Sequence, residues 1–123
     1  MFIAIDFDGT CVDHRYPEVG NPAPNSIDTL KSLNSAGFNL ILWTMRSDEK
    51  LQDAINWFKD NDIELFGIQR NPTQDSWSSS PKCYAHVYID DAAFGAPLIK
   101  PEGFARPCID WSNVRDHFLS VSA

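Results

Sequence analysis

A chain of 123 residues, 43% hydrophobic and 12% aromatic, is one domain's worth of sequence with enough apolar side chain for a core, which excludes a disordered polymer. Ten Lys+Arg against seventeen Asp+Glu give a net charge of −7, which argues against a nucleic-acid binder and against a polybasic membrane module. No stretch approaches the ~18 apolar residues of a membrane span, and Met1 opens no leader-like run.

The chain starts with the continuous apolar run Met1–Ile5, cut off by Asp6. Continuous rather than alternating apolarity suits a strand covered on both faces, as in a parallel sheet. Residues 9–23 read as a long loop. Pro24 suits a first helical turn, Ile27, Leu30 and Leu33 keep helical spacing, and Gly37 supplies the stop. A second strand is expected over Phe38–Trp43. Ser47 then reads as the N-cap of a helix whose face is Leu51, Ala54, Ile55 and Phe58, with Asp48 and Glu49 at its positive end and Asn61 closing it. Leu65–Ile68 is a short third strand. Residues 69–81 form an irregular loop with one helical turn around Trp77, and Ala85–Ile89 is a fourth strand. The Pro- and Gly-containing tail carries a short last strand at Cys108-Ile109 and a helix capped by Ser112 that runs through Leu119. Trp43, Trp57, Phe58 and Phe66 are expected in the core.

Strands alternating with helical patterns predict βαβ units, a mostly parallel sheet and a single α/β domain over residues 1–123. Cys11, Cys83 and Cys108 are odd in number and widely spaced, which fits neither a disulfide framework nor a zinc knuckle. Inert thiols in a reducing cytoplasm are the expectation.

The polar residues that carry chemistry sit at strand ends. Asp6 and Asp8 follow strand one, Thr44 and Arg46 follow strand two, and Asp90 and Asp91 follow strand four. In open α/β sheets, ligands bind beyond the carboxyl ends of the strands, where strand order reverses. With strand one central, the three groups meet in one crevice. Acidic groups brought together repel unless a hard cation neutralises them, and oxygen ligands of this kind suit Mg²⁺, which also accepts phosphate oxygen. The plain alternative for Asp6-Phe7-Asp8-Gly9 is a strand end with a turn. Thr44 offers a hydroxyl to a phosphate oxygen or simply ends its strand. Arg46 grips a phosphate or pairs with Asp48. Lys82 offsets negative charge at the site or solubilises an exposed loop.

The string Ile5-Asp6-Phe7-Asp8-Gly9-Thr10 resembles the DxDGT motif of the haloacid dehalogenase (HAD) superfamily. Thr44 after Asn39–Trp43, Lys82, and Ile89-Asp90-Asp91 resemble that superfamily's second, third and fourth motifs, in the right order over about residues 1–95. Asp13–Glu18 and Leu42–Ser47 are similar to a small subfamily of compact members. The resemblance implies a three-layer α/β/α Rossmann-like core and a Mg²⁺-dependent phosphohydrolase. Asp6 would be the nucleophile and Asp8 the acid and base. Mg²⁺ would be held by the Asp6 carboxylate, the Asp8 backbone carbonyl and Asp90, with Asp91 joining directly or through water. Thr44, Arg46 and Lys82 would bind the substrate phosphate.

Only 35 residues separate Asp8 from Thr44 and 37 separate Thr44 from Lys82, too few for a cap domain beside the helices and strands already read there. The protein is therefore expected to be capless, with His14, Arg15 and Tyr16 in a loop that meets substrate. An open site suits a phosphorylated small molecule or a phosphoprotein, and a homo-oligomer would screen it. Two rivals stand beside this reading: a receiver-like phosphoacceptor module and a catalytically idle binding protein on the same fold.

Overall fold

The computed structural model describes residues 1–119. The apolar runs form β1 (Phe2–Ile5), β2 (Asn39–Leu42), β3 (Gly67–Ile68) and β4 (Val87–Ile89), paired in parallel in the order β3-β2-β1-β4. β1 is central, flanked by β2 and β4, as the crevice requires. The strands are shorter than the apolar runs that encode them, although the amides of Phe66 and His86 still reach the carbonyls of Leu40 and Phe2.

Helix α1 (Ser26–Ser35) starts two residues after Pro24, behind Asn25 in the left-handed conformation at φ 66°. It ends as Gly37 predicts: at φ +90°, the Gly37 N–H donates to Asn34 O and the Phe38 N–H to Leu33 O, both at 3.0 Å. Helix α2 (Asp48–Asp60) follows Ser47, with Asp48 and Glu49 in its first turn. Helix α3 (Trp111–Leu119) is capped by Asp110 rather than by Ser112. The Asp110 carboxylate accepts the N–H groups of Ser112 at 3.1 Å and Asn113 at 3.3 Å, and Ser112 already lies inside the helix.

Cys108-Ile109 does form a strand, β6, but outside the main sheet. It pairs antiparallel with β5 (Leu98–Ile99), which prolines on both sides hid from the sequence reading. The expected turn around Trp77 is a 3-10 helix at Pro72–Ser76, with Trp77 just past its end.

Right-handed crossovers explain the layers. The steps from β1 to β2 and on to β3 run one way across the sheet, so α1 and α2 lie on one face. The connection from β3 to β4 returns past β1 and crosses the other face. Accordingly Ile3, Ile5, Leu40, Leu42 and Ile89 pack with Leu30 and Leu33 of α1, Ala54 and Phe58 of α2, and Trp111 and Val114 of α3. Each such fully buried aliphatic contributes about 1.5–3 kcal/mol. On the opposite face Ala4, Ile41 and Cys83 form a smaller cluster with Phe2, Trp43 and Ala85. There the second helical layer of this α/β/α arrangement is reduced to the 3-10 helix and its flanking loops. Buried Asn71 and Gln74 hold that segment: Asn71 donates to Tyr84 O, and Gln74 donates to Ser80 O and Lys82 O and accepts the Tyr84 N–H.

Of the four aromatics expected inside, Phe58 is buried and Trp43 and Trp57 are partly buried, but Phe66 is 40% exposed beside the two-residue edge strand β3. No cap domain is inserted among the described residues. No described helix is long and apolar enough to cross a membrane.

Candidate functional site

Past the end of β1 the backbone turns sharply. Phe7 O accepts the N–H groups of Thr10 and Cys11, and the Asp6 N–H still donates to Ile89 O at 3.0 Å, holding the ends of β1 and β4 side by side. That pairing brings together Asp6, Asp90 and Asp91, whose nearest carboxylate oxygens all lie within 4.8 Å of one another. Gly9, at φ +83°, makes the juxtaposition possible: a Cβ there would stand 2.5 Å from Asp91 Oδ2 and 2.8 Å from its Cγ. Thr10 is fully buried between the two strands. Its hydroxyl faces Asp6 Oδ2 at 3.0 Å and Asp91 Oδ1 at 3.3 Å and accepts the Asp91 N–H at 3.1 Å. The Thr10 carbonyl accepts the indole N–H of buried Trp111 at 2.7 Å, so α3 braces the turn.

Burial, the hydrogen bond with Asp91 and the negative charge of Asp90 together push the Asp6 carboxyl up from an ordinary 3.8 to about 8, against the opposing Thr10 hydrogen bond. Three crowded carboxylates with that excess of negative charge, and no nitrogen or sulfur donor among them, fit a hard divalent cation such as Mg²⁺.

Asp8 and Arg46 depart from the sequence reading. Arg46 does not pair with Asp48, and it is not free to bind a phosphate. It is 1% exposed, and all five of its N–H donors are engaged. Nε donates to Asp8 Oδ2 and Nη2 to Asp8 Oδ1, both at 2.8 Å. Nη2 also reaches Glu18 O, while Nη1 reaches Pro17 O and Lys50 O. The guanidinium is sandwiched by Phe7 and Tyr16, 5.2 and 5.1 Å from their ring centres. The Asp8 carboxylate is thereby drawn away from the acidic triad, which leaves only its backbone carbonyl for a metal.

The main cleft, of about 500 Å³, is lined by Asp6, Asp8, Thr44, Asp90 and Asp91 together with His14, Tyr16, Met45, Ala92 and Arg106, and by the edge of the Arg46 side chain. Thr44 is aimed by Gln69, a residue the sequence reading passed over. The Gln69 amide accepts the Thr44 N–H at 2.9 Å and donates to the Thr44 carbonyl at 2.6 Å. The Thr44 hydroxyl accepts the Arg46 N–H at 3.2 Å, which leaves its own proton for a ligand. Lys82 lines a neighbouring cleft of about 310 Å³ that shares Asp6 and Asp90 as a wall, with Nζ 5.6 Å from the Tyr88 ring centre.

Within the loop expected to meet substrate, His14 and Tyr16 line the main cleft but Arg15 does not. Arg15 Nε pairs with Asp13 at 2.8 Å and Nη2 donates to Gly103 O at 2.9 Å. Buried Asp13 also accepts the Ala105 N–H at 3.0 Å. Burial alone would raise the Asp13 carboxyl, but hydrogen bonds from Arg15 and the Ala105 N–H outweigh it and leave it below its ordinary value. Arg106, the next residue, escaped the sequence reading because it sits in a Pro/Gly-rich tail with no motif around it. Cys11 is buried and donates to Asp6 O at 3.4 Å. Burial first, then Asp6 and Asp8, push its thiol far above the ordinary range, so it is no nucleophile. Trp77 lies outside the cleft, 61% exposed and edge-on to Tyr84.

No protein-family model matches the chain, and no curated protein matches it. A solved structure of a conserved protein from Bacteroides thetaiotaomicron is 32% identical to it and superposes with a TM-score of 0.77, covering 98% of this chain and 90% of that one. At that identity and coverage, the chain belongs to the same family as the conserved Bacteroides protein.

Proposed function

We propose that the chain is a Mg²⁺-dependent phosphohydrolase of the haloacid dehalogenase type, acting on a phosphate monoester in the cytoplasm. The convergence of Asp6, Asp90 and Asp91 over Gly9, beside Thr44 and between two clefts, carries this reading. Three cysteines that are all free and buried agree with the compartment.

In this reading Asp6 attacks phosphorus in line, the bond to the leaving oxygen breaks, and the phosphoryl group rests on the Asp6 carboxylate. Asp8 enters the cycle carrying a proton on a lone pair that Arg46 leaves open and delivers it to the leaving oxygen. It then takes one from the water that hydrolyses the acyl phosphate, which returns Asp6 and releases phosphate. Each Asp8 oxygen has a lone pair beyond the one Arg46 uses, so the pair fixes the carboxylate's direction without blocking transfer. The Thr44 hydroxyl and, from the smaller cleft, Lys82 would hold phosphoryl oxygens. Asp6, Asp90, Asp91 and the Asp8 carbonyl would hold Mg²⁺, which supplies charge neutralisation to phosphoryl oxygens.

A receiver-like module would carry its phosphoacceptor after β3. Here Gln69 follows Ile68, and its amide is committed to Thr44. The test is turnover of a panel of phosphorylated metabolites and phosphopeptides with Mg²⁺, comparing wild type with Asp6→Asn. Multiple turnovers by wild type and at least a thousandfold loss in a folded D6N variant are expected. Equal turnover by D6N, or a wild type that takes up one phosphate and stops, overturns the reading.

A further inference from the structure

Resting on that reading, the main cleft also says what kind of leaving group it accepts. In-line attack places the leaving group opposite the Asp6 oxygen, within reach of the proton donor Asp8. It therefore lies in the cleft that contains Asp8, not in the smaller one that contains Lys82. A cleft of about 500 Å³ is the size of a small-molecule site.

The same cleft presents nitrogen donors beside its carboxylates. His14 and Arg106 line it from two different loops. Those loops are fastened to each other directly beside these residues. Asp13 takes the Ala105 N–H and the Arg15 side chain, and Arg15 reaches on to Gly103 O. Asp13 is itself buried, and a Cβ at Gly20 would stand 2.2 Å from its carbonyl oxygen, so its own loop closes tightly around it. The stitch thus holds together the two loops that carry His14 and Arg106 to the same cleft. Among the described residues neither Arg106 nor Arg115 takes part in an ion pair, whereas Arg15, Arg46 and Arg70 are each bound to an aspartate, and of the two only Arg106 lines the cleft. A guanidinium with no partner, facing a cleft whose floor is acidic, is set up for an oxyanion supplied from outside.

We propose that Arg106, assisted by His14, binds a second acidic group on the leaving group, a carboxylate or a second phosphate. The preferred substrate is then a small phosphate ester that carries another acid within a few bonds of the ester oxygen.

The test pairs isosteres that differ only in that acid. By calorimetry with Mg²⁺ present, 3-phosphonopropanoate should bind the full chain at least tenfold more tightly than propylphosphonate. In turnover, phosphoglycolate should exceed ethyl phosphate in kcat/KM by a similar factor, and ethylene glycol bisphosphate separates the two acids as a third arm. Arg106→Gln should bring both ratios to one or below, chiefly through KM and Kd, and Arg106→Lys should restore part of the preference. Arg106 is exposed, so the variants are expected to fold, and melting curves check this. A wild type that treats the isosteres alike, or a preference that survives in R106Q, overturns this subsite while leaving the phosphatase reading intact. Failure of all three esters and the wider panel to turn over overturns both.

Discussion

Arg46 grips Asp8 at two points, Nε on Oδ2 and Nη2 on Oδ1, both at 2.8 Å, with the arginine almost wholly buried. The same guanidinium binds the carbonyls of Pro17, Glu18 and Lys50, so one side chain ties the turn after β1 to the loop beyond it and to the start of α2. Breaking a buried pair from one side costs about 3–5 kcal/mol, because the remaining charge and carbonyls lose their partners. Arg46→Met is therefore expected to destabilise the fold by about 3 kcal/mol or more in urea unfolding. Arg46→Lys should recover less than half of that, since an ammonium cannot make the two-point contact. A loss under 1 kcal/mol in R46M would show that the pair is incidental.

The crowded carboxylates give stability a definite pH dependence when metal is withheld. Between 3.8 and about 8 the folded chain keeps a proton on Asp6 that the unfolded chain has released. The folded state binds more protons across that window, so stability from this group falls as pH rises, at up to about 1.4 kcal/mol per pH unit. Denaturant titrations in EDTA at pH 5 to 8 should show wild type losing ground steadily against Asp6→Asn. Because proton and cation compete for the same oxygens, Mg²⁺ should stabilise wild type more at pH 8 than at pH 5. Parallel pH profiles for the two proteins would contradict the assignment.

At Gly9 the prediction is steric. An alanine must hold φ near +83° with its Cβ 2.5 Å from Asp91 Oδ2. Left-handed strain costs about 1–2 kcal/mol, and displacing Asp91 spreads the triad as well. Gly9→Ala should unfold at lower urea and lose the Mg²⁺-dependent rise in melting temperature. Retention of that rise would mean Asp91 is not needed to hold the ion.

Much of this arrangement is legible in the chain, because it depends on local signals that tertiary contacts did not overrule. Continuous apolar runs ending in Asp6, Thr44 and Asp90 locate the strands and the edge where their ends meet, and Gly37 marks where α1 stops. What escaped depends on partners distant in sequence. Nothing around Arg46 announces that Asp8, 38 residues earlier, will absorb it. Gln69 and Arg106 gain their meaning only when β3 and the tail fold against the cleft. Asp110 displaced Ser112 as a cap because both are good cap residues two positions apart, and packing of Trp111 under Thr10 decides between them.

The sheet is guarded unequally. Three helices clasp one side, whereas the other rests under a strap fastened by two amide side chains, Asn71 and Gln74. Lys82 hangs from that strap through its backbone carbonyl, which Gln74 holds, so the position of its ammonium at the smaller cleft depends on two amide side chains rather than on a helix. Loosening either amide by substitution would therefore shift charge at the smaller cleft without touching the loops that frame the main one.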